Sequence, residues 1–216
     1  MLGVLEESLL KRFIFEIASG LKVLHEMNFI HRDLKPQNIL LTSSELTATI
    51  KIADFGFARF LGTNQLAQTL CGSPLYMAPE SISQKGHNSK VDLWSLGVIW
   101  YEIVYGFPPF KTMNSWAECE KRILLDEIKF PELSDYSKGS IDLIQKLLER
   151  NPEKRLSAQE LLNDSYFDDC KKIEKKIEKK EIDLLTTQYL IQDYEIVELD
   201  EVPEELETVT STCLIS

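Results

Sequence analysis

Long apolar runs are missing from this sequence: charged residues interrupt each one well short of the about eighteen consecutive apolar residues that a membrane-spanning helix needs. Met1 is followed by no basic-then-apolar leader, which predicts that the chain is not exported. Cysteine is scarce and scattered. Cys71, Cys119, Cys170 and Cys213 form no CxxC pair and have no histidine at metal-ligand spacing, so neither a zinc centre nor a disulfide framework is indicated; reduced thiols in the cytoplasm fit best. An excess of cations is lacking too. The net charge is −11, and residues 168–216, with fourteen Asp or Glu against six Lys, carry −8 of it. A phosphate backbone needs clustered cations, and so acidic a tail argues against a nucleic-acid partner. The nine glycines contain no GxGxxG, so these residues hold no glycine-rich loop of the kind that covers nucleotide phosphates.

What is present suits one globular unit with an appendage, since 44% hydrophobic residues in 216 are enough for a buried core. Leu10, Phe13, Ile14, Ile17, Leu21 and Leu24 recur at three- and four-residue steps and predict an amphipathic helix over 8–27. Residues 29–41 read as strand, loop, strand around Pro36, with 39–41 and 49–52 as short paired strands. From Phe55 to Glu80 glycine and proline recur and periodicity fades, as in a functional loop. Residues 91–105 are nearly all apolar, which predicts a helix buried on every side. Ser140 is expected to cap a helix through Leu148, and Ser157 with Glu160 forms a capping box ahead of Leu161 and Leu162. After Phe167 the pattern changes to repeated Lys-Lys-Ile-Glu and then to ten acids with no Lys or Arg over 181–216. The expected division is a domain over 1–167 and an acidic tail over 168–216, helical and then disordered.

Chemistry concentrates in two short stretches. His31-Arg32-Asp33-Leu34-Lys35-Pro36-Gln37-Asn38 sets a carboxylate, an amine and an amide within six positions of one loop. Sixteen residues after Asn38 comes Asp54-Phe55-Gly56, and Ala78-Pro79-Glu80 closes the following loop. Either triplet alone is a weak signal, whereas all three in this order and spacing leave little room for coincidence.

On these motifs the sequence resembles the protein kinase superfamily over about residues 8–167. Asn28 to Leu41, Ile52 to Arg59 and Leu70 to Glu80 look especially like the autophagy-initiating serine/threonine kinases, homologues of the nematode uncoordinated-movement kinase. The resemblance implies the mainly α-helical C-terminal lobe of the kinase fold with short β hairpins. It also implies transfer of the γ-phosphate of ATP, with Mg2+, to serine or threonine hydroxyls of a protein substrate. By that resemblance Asp33 accepts the hydroxyl proton, Lys35 neutralises charge on the γ-phosphate, Asn38 and Asp54 ligate the metal, and Leu40 floors the adenine pocket. Ser73 would bond to the aspartate and lysine of the catalytic loop, although a plain turn serine reads as well from local chemistry. Thr69 matches the position where a phosphate is received, which Arg32 and Arg59 would clamp; an unmodified loop threonine is the alternative. Structural roles are implied for a Glu80–Arg155 ion pair, for Asp92 accepting from the catalytic-loop backbone, and for His31 packing on Phe55.

These residues contain no counterpart of the small N-terminal β lobe, with its glycine-rich loop, strand lysine and helix glutamate. The expectation for the chain by itself is weak nucleotide binding and turnover near background. An apolar face should stand open around Leu40, Phe55 and the first helix. A sequence that continues upstream, completion by another chain, and a lobe kept for binding all fit. The alternative to an enzyme is a scaffold module that docks a regulatory protein through this inter-lobe face or through the tail. There Ile196, Val197, Leu199, Val202 and Leu206 alternate with acids, a composition that equally suits disorder.

Overall fold

A computed structural model describes residues 5–43, 48–60, 73–83, 86, 88–110, 115–132 and 135–176. The periodic stripe near the N-terminus forms α1 (Glu7–Glu26), which buries Leu10, Ile14, Ile17, Leu21 and Leu24. Phe13 is only half-buried, and Phe15 takes the inward position, its ring 5.8 Å from that of Phe167. Four short strands follow among the described residues. β1 (Phe29–Ile30) pairs antiparallel with β4 (Arg59–Phe60), and β2 (Ile39–Leu41) with β3 (Ile50–Ile52) in the register Ile39 to Ile52 and Leu41 to Ile50. The two ribbons bracket the loop of His31 to Asn38 and the segment of Asp54 to Gly56, so strand pairing draws the two motifs together.

The short α2 (Pro79–Ile82) leads to α3 (Lys90–Tyr105), the central pillar. Every residue from Val91 to Tyr101 is buried, as the apolar run predicts, but the last turn emerges and Ile103 is 38% exposed. Gly106 ends the helix at φ 76°, a left-handed conformation that glycine adopts without a Cβ clash. α4 (Trp116–Leu125), α5 (Lys138–Leu147), α6 (Ala158–Asn163) and α7 (Asp168–Lys176) are the further α-helices among the described residues. Ser157 and Glu160 make the expected capping box on α6. The cap of α5 differs from expectation: Ser137 accepts from the Ser140 amide at 3.3 Å, and Ser140 is a buried residue of the first turn. Both serines have the right chemistry, but Ser137 holds the extended backbone that a cap requires.

Glu80 and Arg155 form the anticipated pair, bidentate at 2.6 and 2.9 Å, with Arg155 only 1% exposed. The guanidinium also donates to the carbonyls of Lys90 and Glu149, so its burial is compensated by hydrogen bonds as well as charge. By their internal contacts the residues group into Met1–Ile173 and Glu174–Ser216; of the second, only the end of α7 is described. Among the described residues no helix is long and apolar enough to cross a membrane.

Close packing of α3 on α5 depends on Gly97, where a Cβ would stand 2.8 Å from the Leu147 Cβ. Gly97→Ala should therefore destabilise the domain by about 1–3 kcal/mol through overpacking. Urea unfolding of the two proteins measures it, and an unchanged midpoint would contradict the packing.

Candidate active site

The catalytic-loop candidate starts where α1 ends. Asn28 turns the chain at φ 62°, β1 passes, and Arg32 takes φ 68°, a left-handed conformation that costs a non-glycine residue about 1–3 kcal/mol. Asp92, wholly buried in the first turn of α3, holds this turn. Its Oδ1 accepts from the Arg32 amide at 2.9 Å, and its Oδ2 accepts from the His31 amide at 3.0 Å and from His25 Nε2 at 2.8 Å. Burial by itself would push this carboxyl up. The His25 hydrogen bond, the charges of His25 and His31 and the Arg32 amide outweigh burial and hold it below the usual carboxylate value of 3.8.

Asp33 follows the strained turn and is 3% exposed. Its Oδ1 accepts from the Ser73 amide at 2.8 Å and the Ser73 hydroxyl at 3.0 Å. Its Oδ2 accepts from Lys35 Nζ at 2.6 Å and from Asn38 Nδ2 at 3.3 Å; Nδ2 also donates to the Asp33 carbonyl at 2.8 Å. Thus Asp33, Lys35, Asn38 and Ser73 meet on one carboxylate. Of the two bonds expected of Ser73, the one to the aspartate is made, while the amine of Lys35 engages the opposite oxygen.

Asp54 is exposed at φ 60°, with its Oδ1 accepting from the Gly56 amide at 3.2 Å. The preceding residue fixes it beside the loop, because the Ala53 amide donates to the Asn38 carbonyl at 2.9 Å and His31 Nε2 donates to the Ala53 carbonyl at 3.0 Å. The His31 and Phe55 rings meet edge to face at 5.2 Å, as expected of packed aromatics. Leu40 lies on β2 and is 50% exposed. Arg32 Nε donates to the Phe57 carbonyl at 2.6 Å, and Arg59 lies opposite Ile30 in the β1–β4 pair, so both cations border the same turn. Thr69 lies outside the described residues.

Four contributors went unread in the sequence: His25, Tyr76, Ser95 and Glu102. His25 gave no local signal, although an isolated aspartate on an apolar helix implies some buried donor. The Tyr76 hydroxyl donates to Glu102 at 2.7 Å, and the Tyr76 carbonyl accepts from Ser95 Oγ at 2.7 Å, which bolts the turn after Ser73 onto α3. Burial, followed by the neighbouring carboxylate, pushes the Tyr76 phenol far up, so it stays a donor.

Chemically, the site offers a carboxylate able to take a proton, an amine able to hold an anion, and hard oxygens for a cation. With Asn38 Nδ2 committed to Asp33, its Oδ1 is left for a ligand, and the exposed Asp54 supplies a second acceptor. That donor set suits Mg2+.

Residues 2–167 match the family profile described as protein kinase domain. Serine/threonine-protein kinase ATG1c of Arabidopsis thaliana is 48% identical over 169 residues, covering 77% of this chain and 23% of that protein. Human serine/threonine-protein kinase ULK3 is 44% identical over 166 residues, 76% of this chain and 35% of that one. DNA damage response protein kinase DUN1 of Saccharomyces cerevisiae is 41% identical over 177 residues, 74% of this chain and 34% of that one. The chain spans about a quarter to a third of the length of these curated relatives.

The depressed Asp92 carboxyl has a pH signature. Its ionised form contributes stability that is complete above the ordinary carboxylate value and is lost as pH falls through the lower folded value. The stability gap between the wild-type chain and Asp92→Asn should therefore narrow as urea unfolding is repeated from about pH 7 down to about pH 3. A gap that stays constant would contradict this account of the clamp.

Proposed function

The chain belongs to the protein kinase family, and from that premise we propose that it is the large-lobe part of an enzyme that transfers the γ-phosphate of ATP to serine or threonine hydroxyls in proteins. The convergence of Lys35, Asn38 and Ser73 on the Asp33 carboxylate carries this reading. In it, Asp33 aligns the acceptor hydroxyl and takes its proton as the oxygen bonds to phosphorus and the bond to the ADP oxygen breaks. Lys35 offsets charge on the transferred group, which is where phosphoryl transfer needs stabilisation. Asn38 and Asp54 would hold Mg2+, which supplies charge neutralisation along the phosphates. Leu40 offers an apolar seat for the adenine. Ser73 secures Asp33 from the side of the activation segment, and the Asp-Leu-Lys-Pro-x-Asn form of the loop favours an aliphatic hydroxyl over tyrosine.

Regulation by a phosphate on Thr69, clamped by Arg32 and Arg59, belongs to the same proposal. So do a lobe over residues 1–167 with an acidic tail over 168–216, action in the cytoplasm, and a part in autophagy signalling. Likeness to the ATG1 and ULK kinases supports that role; the 41% identity to a kinase named for the DNA damage response makes it the least specific part. A second reading, a binding module for a regulatory protein, draws on the exposure of Leu40, Leu41, Phe57 and Phe60. The same residues serve the first reading as a surface over which a small lobe closes.

The purified 216-residue chain should phosphorylate a serine/threonine peptide at a rate near background, because its nucleotide would be held from one side only. Mg2+-ATP-dependent turnover that Asp33→Asn abolishes would refute that expectation. Fused behind a kinase small lobe, the same chain should gain turnover that Asp33→Asn lowers by about 10²–10⁴-fold. A well-folded fusion that stays silent would favour the binding module.

A further inference from the structure

α1 runs beside β3 with contacts that repeat at a matched step. Arg12, Glu16 and Gly20 recur every four residues on the helix, about 6 Å per step. Ala48, Ile50 and Ile52 recur every two on the extended chain, about 6.6 Å per step. Arg12 Nη2 donates to the Ala48 carbonyl at 2.8 Å, and Glu16 Oε2 accepts from the Ile50 amide at 2.7 Å. At Gly20 the bare backbone admits the strand, since a Cβ there would stand 3.1 Å from Ile52 Cδ1.

The register explains why these backbone groups need partners. Thr49 and Ala53 bond across to Thr42 and Asn38 on the β2 side, so residues 48, 50 and 52 turn their polar groups to the opposite edge. Among the described residues β3 pairs with β2 alone, so that edge has no strand beyond it. Arg12 and Glu16 take the place of a third strand, one supplying the donor and the other the acceptor. They stand 3.6 Å apart as an i,i+4 ion pair, which holds the two side chains in step. Burial pushes the Glu16 carboxyl up although the Ile50 amide and Arg12 pull it down, so the helix keeps a half-buried acid at this place against a desolvation penalty.

We propose that Arg12 and Glu16 are positioning residues for the metal-binding end of the site: they fix β3 lengthwise, and with it the Ala53–Asn38 bond that sets Asp54 beside Asn38. The functional consequence rests on reading Asn38 and Asp54 as metal ligands; the mechanical coupling does not. Two residues separate Ile50 from Ala53, and strand β3 passes any slip at Glu16 directly to the left-handed turn at Asp54.

Amide hydrogen exchange by NMR on the full chain tests it, with Leu21 and Leu24 in α1 as internal controls. Glu16→Ala should speed exchange at both Ile50 and Ala53 by about tenfold or more relative to the controls, the loss expected for a bond to a charged acceptor. Glu16→Gln keeps an acceptor oxygen and should retain protection at both amides. Acceleration at Ile50 with Ala53 unmoved would overturn the proposal, because Glu16 would then satisfy one donor and position nothing. If Glu16→Ala does not fold, Arg12→Ala takes its place by removing the donor to the Ala48 carbonyl, and Ala53 protection unmoved in it overturns the proposal. A titration with Mg2+-ATP of the chain fused behind a kinase small lobe, read at the Asp54 amide, separates the two readings. No response there, with exchange as expected, would remove the metal assignment while the fixing of the strand stands.

Discussion

Asp92 is a carboxylate with no access to water on a helix whose neighbours are almost all apolar. Left alone, such a group would cost several kcal/mol or lose its charge. Its two oxygens instead collect the amides of His31 and Arg32, which belong to the strained turn, and the ring of His25 from the last turn of α1. The left-handed conformation at Arg32 persists because Asp92 grips it from beneath, and Asp33 follows immediately. Satisfying a buried charge and aiming the candidate base are therefore one event. Each further contact on Asp33 presupposes it.

The rest of the site is secured by the same device, a loop tied to a helix through polar side chains. Ser73 reaches Asp33 from a turn that Tyr76 fastens to Glu102 and Ser95 on α3. The next segment is anchored by Glu80 on Arg155, a pair whose value lies in geometry more than in stability. Asp54 is held through Ala53 on Asn38, with β3 backed by Arg12 and Glu16 on α1. The residues proposed for chemistry sit on loops and short strands, and helix side chains carry the precision. This is how a site with little regular structure of its own can still be pre-organised.

Much of this was legible locally. Helix periodicity marked α1, a nearly continuous apolar run marked α3 and the capping box marked α6, because each depends on residues close together in the chain; the candidates Asp33, Asn38 and Asp54 were marked by the order and spacing of short motifs. The misreadings have the same origin. Ser137 and Ser140 are equivalent as chemical types, and only the direction of the incoming chain selects the first as cap. Phe13 and Phe15 compete for one inward position, and the contact with Phe167, distant in sequence, decides for Phe15. His25, Glu16, Ser95 and Glu102 look like ordinary helix residues until the partner that each was to meet has been folded against it.

The sequence by itself determined the kind of chemistry available: a carboxylate, a lysine, an amide and a second aspartate at fixed separations, and an apolar helix able to serve as a pillar. Those properties are covalent or local, so spacing carries them. Which oxygen of Asp33 faces Ser73 and which faces Lys35, what keeps Asp92 ionised, and how Asp54 comes to stand beside Asn38 were decided only by the tertiary structure. The Ser73 and Asp92 bonds join groups 40 to 67 residues apart, and even the shorter Ala53–Asn38 link forms only once β3 lies on β2, so no local pattern encodes these choices.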